Sequence, residues 1–160
     1  MEFMRISWEE GAELCEQLVH KTDDYRPDIL IGVSRGGLVP LRIFSDMLGI
    51  KRIGVLGIQF YKKMGETRDF PEITYEMPLN IEGKKVLIID DVAHTGKSLV
   101  AAKEYIEKRG ASDIRIATLH YHPTSILRPD YFVEMTNTWI IYPWERHEAE
   151  REIKEKSQTL

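Results

Sequence analysis

The run Val86-Leu87-Ile88-Ile89-Asp90-Asp91-Val92-Ala93-His94-Thr95-Gly96-Lys97-Ser98 constrains the fold more than any other stretch of the chain. Four apolar, mostly β-branched residues read as a buried strand. Two adjacent carboxylates end it, a turn of small and hydroxyl residues follows, and a helix then begins. Acids at a strand end suit a cationic sugar or a metal. The amides of Thr95 to Ser98, with two hydroxyls, suit a phosphate at a helix N-terminus. One place that wants both cation and phosphate points to a phosphorylated sugar handled with Mg²⁺.

Thr95-Gly96-Lys97-Ser98 also looks like the tail of a nucleoside-triphosphatase phosphate loop. That loop needs a glycine five positions before Gly96, where this chain has Asp91. A carboxylate there repels a β-phosphate and blocks the close approach of backbone, so this reading is disfavoured.

The rest of the chain sets the run in a repeating order. Ser7-Trp8-Glu9-Glu10 is a capping box and predicts a helix from about residue 8. Ile29 to Val33 reads as a strand, 34–37 as a turn, and Leu38 to Leu48 as a helix closed by Gly49. Ile53 to Phe60 is a strand, 61–70 a polar and mobile loop, and Ile73 to Met77 a short strand. Ser98 to Arg109 is a helix capped by Gly110, and Ile114 to Leu119 another strand. Strands alternating with helices predict an α/β fold, a parallel sheet with helices on both faces. Ligands of such sheets bind beyond the carboxyl ends of the strands, so the turns at 34–37 and 91–98 are expected to share one cleft. Past residue 120 the segments are short and rich in Pro, His, Tyr and Trp. They read as a small lobe over the cleft.

The 160 residues fit one domain, divided into a core of about 5–118, a hood of about 119–145 and a charged tail at 146–160. With Cys15 as its one cysteine, the chain makes no internal disulfide, and a reducing cytoplasmic setting is expected. No apolar run approaches the ~18 residues of a membrane span. The net charge of −4 argues against broad nucleic-acid binding.

Three segments, in order, carry a resemblance to a family. Residues 88–98 are similar to the phosphoribosyl pyrophosphate (PRPP) motif of the type I phosphoribosyltransferases. Val33-Ser34-Arg35-Gly36-Gly37-Leu38-Val39-Pro40 resembles their pyrophosphate loop, and Thr138-Trp139-Ile140-Ile141-Tyr142-Pro143-Trp144-Glu145 the end of their base-binding hood. Within the family the chain looks like the bacterial and archaeal purine enzymes of the xanthine-guanine type. The resemblance implies the type I phosphoribosyltransferase fold and a reaction in which PRPP and a purine base give a purine nucleoside monophosphate and pyrophosphate, with Mg²⁺. It also implies a homodimer.

The resemblance assigns roles. Asp90 and Asp91 hold the ribose hydroxyls, with Asp91 the metal ligand. Successive strand residues point to opposite sides, which fits different tasks for the two acids. Thr95, Gly96, Lys97 and Ser98 take the 5′-phosphate, with Val92 and Ala93 of the same motif lining the PRPP site. Ser34, Arg35, Gly36 and Gly37 take pyrophosphate. Lys62, Lys63 and Arg68 of the mobile loop close over it. Trp139 and Ile140 hold the purine, while Tyr142 and Trp144 read as structural.

Two positions depart from the oxopurine pattern. His94 stands where those enzymes usually carry an aspartate near N7 of the base, the usual candidate for proton transfer. His122 stands where they usually carry a lysine that donates to O6. A neutral histidine has an acceptor nitrogen and can take a hydrogen bond from the 6-amino group of adenine. The expectation is therefore a purine phosphoribosyltransferase leaning toward adenine, with a 6-oxopurine enzyme as the alternative. A non-catalytic PRPP-binding regulator and a pyrimidine-type transferase are the further rivals. His120 is the other histidine that could point inward.

Overall fold

The computed structural model describes residues 2–62, 64–65 and 69–159. Ser7 and Glu10 form the expected capping box, each side chain accepting the other's backbone N–H at 3.1 and 2.7 Å. Helix α1 follows over Trp8–Lys21, preceded by a short strand β1, Phe3–Arg5, for which the sequence carries no signal. Then come β2 (Ile29–Ser34), α2 (Leu38–Leu48), β3 (Ile53–Lys62), β4 (Asp69–Tyr75), β5 (Lys85–Ala93), α3 (Lys97–Lys108) and β6 (Asp113–Tyr121). The chain closes with β7 (Tyr131–Met135), β8 (Trp139–Ile141), one turn of 3₁₀ helix at Pro143–Glu145 and α4 (Arg146–Gln158).

Six strands form one sheet in the order β4-β3-β2-β5-β6-β7, parallel except for β4. Side-chain alternation along β5 explains why its sequence is apolar on both phases. Leu87 and Ile89 pack with Leu14 and Leu18 of α1 and Leu41 and Phe44 of α2. Val86 and Ile88 pack with Leu99, Ala102 and Ile106 of α3. A strand buried on both faces needs that composition. The strand order reverses between β2 and β5, and the carboxyl ends of these neighbours are the two motifs. Such a switch point opens the crevice in which open α/β sheets bind ligands.

Three features differ from the sequence expectation. First, β5 runs through both acids, because its parallel ladder with β6 continues at Asp90↔Thr118, Val92↔His120 and Ala93↔Tyr121. Second, the ends of the expected loop at 61–70 are strand: Tyr61 pairs with Phe70 and Lys62 with Asp69 in an antiparallel hairpin. Lys63 and Arg68 lie outside the described residues, as does the side chain of Lys62. Third, β7, inside the range read as hood, is the edge strand of the main sheet. The separate lobe is built on β1 and β8, paired in parallel with Phe3 opposite Trp139 and Arg5 opposite Ile141.

Candidate active site

The two acids sit in the middle of the switch point and are almost fully buried. Asp90 Oδ1 accepts the N–H of Asp91 at 2.9 Å. Burial first, and the charge of Asp91 second, hold Asp90 well above the ordinary carboxylate range. Burial raises Asp91 too, and the leading influence in the other direction is a hydrogen bond from Trp144, whose indole Nε1 donates to Asp91 Oδ2 at 3.1 Å. On the opposite side Asp91 meets the turn after β2. A Cβ on Gly36 would fall 2.5 Å from Asp91 Oδ2, so only glycine fits this approach. The Ser34–Arg35 peptide in this turn is cis. Of the residues in this turn, Gly36 comes up against the Asp91 carboxylate, while Gly37 lies over the backbone oxygens of Val33 and Ile89. Arg35 points away, three-quarters exposed, and its Nη2 lies 2.7 and 2.8 Å from the two carboxylate oxygens of Glu148 on α4.

The turn His94-Thr95-Gly96 leads from β5 into α3. Helix α3 is capped by Gly96, at φ 83°. This left-handed conformation favours glycine, and a Cβ here would also strike Ser125 Oγ at 2.4 Å. Thr95 Oγ1 accepts the Lys97 N–H at 3.3 Å. Lys97 is exposed and Ser98 half-buried at the first turn of the helix, where free N–H groups and the helix dipole favour an anion.

Next to the acids opens a cavity of about 450 Å³ lined by Glu2, Val92, His94, His122, residues 136–140 and Glu145. Small-ligand sites commonly span ~300–1,000 Å³. The sequence-assigned base residues His94, His122, Trp139 and Ile140 all meet here. Trp139 is half exposed, whereas Ile140 is buried in the core at the cavity floor. The His94 and His122 rings stack, with centroids 4.9 Å apart and planes at 13°, and Trp139 meets His94 edge-on at 5.1 Å.

The histidines differ in what they can still offer. His122 Nδ1 faces both the Thr124 hydroxyl at 2.7 Å and the Thr124 backbone N–H at 3.4 Å. An N–H can only donate, so Nδ1 is the acceptor. Nε2–H then donates to the Asn137 carbonyl at 3.3 Å. Both nitrogens are engaged, so the free acceptor expected for an adenine amino group is absent, and His122 offers the cavity a ring face. His94 makes ring contacts only among the described residues. Burial, then the neighbouring His122, lowers its pKa below the ordinary imidazole value. It is therefore a neutral ring with one donor and one acceptor at neutral pH. His120 is fully buried elsewhere, its Nδ1 2.7 Å from the Tyr142 hydroxyl.

Sequence reasoning missed Glu2, Glu145 and the contacts of Tyr142 and Trp144. Burial pushes the Glu145 carboxyl up to about 7, with Asp91 adding to the effect. The available signal was position: Trp144 and Glu145 close the same eight-residue segment that holds Trp139 and Ile140.

Comparison with known proteins agrees with this geometry. A family model described as a phosphoribosyl transferase domain matches residues 5–151. Xanthine-guanine phosphoribosyltransferases of Idiomarina loihiensis and Cereibacter sphaeroides are 29% and 26% identical to the chain over 147 residues each. These matches cover 89% and 88% of this chain and 86% and 85% of theirs. The crystal structure of a purine phosphoribosyltransferase from Pyrococcus horikoshii is 37% identical and superposes with a TM-score of 0.83, over 90% of this chain and 94% of that one. No described helix is long and apolar enough to cross a membrane. A match that runs from β1 into α4, on a fold that sets PRPP-type motifs around one crevice, leaves one assignment: the chain belongs to the type I phosphoribosyltransferases, in their purine group.

Proposed function

We propose that this enzyme transfers the 5-phosphoribosyl group of PRPP to a 6-oxopurine, giving the nucleoside monophosphate and pyrophosphate. The observation that carries the choice of base is the hydrogen bonding of His122. Adenine presents a 6-amino donor, and both His122 nitrogens are already engaged by Thr124 and Asn137. A 6-oxo group needs a donor, which neutral His94 and the hydroxyls of Thr136 and Thr138 in the cavity wall can supply. The names of the relatives from I. loihiensis and C. sphaeroides support the same choice over adenine.

The first turn of α3 and the Thr95–Ser98 amides hold the 5′-phosphate. The 34–37 turn and Arg35 hold pyrophosphate, and Asp90 and Asp91 face the ribose. No described group of three or more His, Cys, Asp or Glu is placed to hold a metal by itself. Two buried carboxylates do fit Mg²⁺ as a shared ion, since Mg²⁺ takes one or two carboxylates and completes its shell with substrate oxygens and water. Bound there with Asp91, it would neutralise charge on the departing pyrophosphate. The base stacks in the cavity against Trp139, with N9 toward the sugar. As the C1–pyrophosphate bond breaks, the acids stabilise the cationic ribose, and neutral His94 accepts the proton that leaves N7. Positioning and fixed charges supply most of the acceleration. A homodimer belongs to the same reading, and light scattering checks it.

The test is pyrophosphate release from PRPP and Mg²⁺ with adenine, guanine, hypoxanthine, xanthine and uracil. The expected result is turnover of one or more 6-oxopurines at a kcat/KM at least about 100-fold above adenine. Preference for adenine overturns the base assignment, and release with uracil alone overturns the purine site.

A further inference from the structure

The segment that holds the base does not stop at the base. Three and five residues after Trp139, Tyr142 and Trp144 reach across to Asp91 from a sequence distance of about fifty residues. We propose that Trp144 is a positioning residue of the transferase: its indole N–H fixes the Asp91 carboxylate, with Tyr142 and His120 holding the backbone behind it. The inference rests on the reading of Asp91 as a carboxylate that works on PRPP and its divalent cation.

The indole is held on three sides. Its ring stacks on Tyr142 at 5.0 Å and 8°, tilts against Trp8 at 6.0 Å, and lies over Gly11, where a Cβ would come within 3.1 Å of Trp144 Cζ3. With the ring fixed, the direction of Nε1–H is fixed, and at 3.1 Å it ends on Asp91 Oδ2. Gly36 closes the other side of the same carboxylate. The Tyr142 hydroxyl adds a second hold, 3.1 Å from the Asp91 carbonyl oxygen. That oxygen can only accept, so the hydroxyl donates to it and takes its own hydrogen bond from His120 Nδ1–H at 2.7 Å. His120 Nε2 is then the bare nitrogen. It is a buried polar atom without a hydrogen bond among the described residues, 3.5 Å from Glu134 Oε2. Side chain and backbone of Asp91 are therefore both pinned by residues that continue the base-binding strand. Packing alone does not ask for this: an aromatic ring can stack on Tyr142 without aiming an N–H at a carboxylate.

Trp144→Phe keeps an aromatic ring, though a smaller one, and removes the donor. The expected result is a kcat lower by about ten- to a hundredfold, a weaker affinity for Mn²⁺ with PRPP in calorimetry, a base KM within about twofold of wild type, and a thermal midpoint close to wild type. In ¹H–¹⁵N spectra the indole cross-peak lost in this variant should be the one of three that shifts when Mg²⁺ and PRPP are added together. Tyr142→Phe, which keeps the stack and loses the hydroxyl, should reproduce the kcat loss and serves if the first variant does not fold. Unchanged kcat and Mn²⁺–PRPP affinity in both variants overturn the proposal. So does an equal loss of base affinity, PRPP affinity and thermal stability, which marks a packing role. A wild-type protein that releases no pyrophosphate with any base fails earlier, at the reading of Asp91 itself.

Discussion

His94 carries the sharpest prediction at the scale of single residues. Two imidazoles stacked at 4.9 Å do not both hold a proton readily, and burial with the neighbouring His122 lowers the pKa of His94. The working form of a general base is the neutral one. The rate is therefore expected to hold through neutral pH and to fall only as pH drops below the ordinary imidazole value of about 6.5. His94→Ala should cost about 10²–10⁴-fold in kcat at neutral pH. His94→Asp, which restores an acceptor, should retain more activity than the alanine variant and move the acid limb lower. Steady-state kinetics from about pH 5 to 9 check both; equal losses in the two variants sink the proton-transfer role. His94 was legible because it interrupts a recognisable motif. The chemistry of His122 was not, because its partners Thr124 and Asn137 are set by how the hood folds. Residue type shows that histidine has an acceptor nitrogen, but not that Thr124 already occupies it.

The helices and strands divide by how local their causes are. α1 begins at the residue expected and α2 covers its expected span, because a capping box and a closing glycine are written in adjacent residues. β5 outran its expectation because two aspartates are poor strand formers by themselves, and it is the ladder to β6 that carries them. The turn after β2 depends on an approach that no local rule contains. Gly36→Ala should fold and yet lose about tenfold or more in kcat/KM for PRPP, since its Cβ strikes the Asp91 carboxylate. Pyrophosphate release measured against PRPP concentration reads this directly. Helix α4 lies in the stretch read as a charged tail, but it is no bystander. Glu148 occupies the guanidinium assigned to pyrophosphate. Exposed pairs of this kind are worth ~0.2–1 kcal/mol, so removing the competitor should help the substrate modestly. Glu148→Gln is expected to lower the KM for PRPP by about two- to fivefold with kcat unchanged. A raised KM would mean that the contact orders Arg35 for substrate instead of masking it.

At the scale of the whole molecule, the site gathers three carboxyls out of reach of most of the solvent. Asp90, Asp91 and Glu145 all have carboxyls raised by burial first. This was not legible, since Glu145 joins the other two only when the hood closes over β5. The consequence is a stability profile unlike that of a protein held by ion pairs. Glu145 titrates near 7 in the folded protein and near about 4.3 when unfolded. Between those values the folded state keeps a proton that the unfolded chain has released. The stabilisation is thus complete below the unfolded value and is lost as pH rises through the folded one. Half-buried His94 and fully buried His120, both lowered mainly by desolvation, act in the opposite sense: their folded pKa values lie below the ordinary imidazole value, so stability falls as pH drops below about 6.5, where the unfolded chain takes up protons. Glu145→Gln removes one term from this balance without adding charge. Its thermal midpoint should lose less than wild type between pH 5 and pH 7.5, and the two proteins should converge toward the acid end. A cation held beside Asp91 would offset the negative charge of these carboxyls, so the gain in midpoint from Mg²⁺ and pyrophosphate should grow as pH rises and the carboxyls ionise. Thermal denaturation across the pH range, with and without these ligands, tests both expectations. A ligand-induced gain that shrinks with rising pH would mean that the buried carboxylates are not where the cation is held.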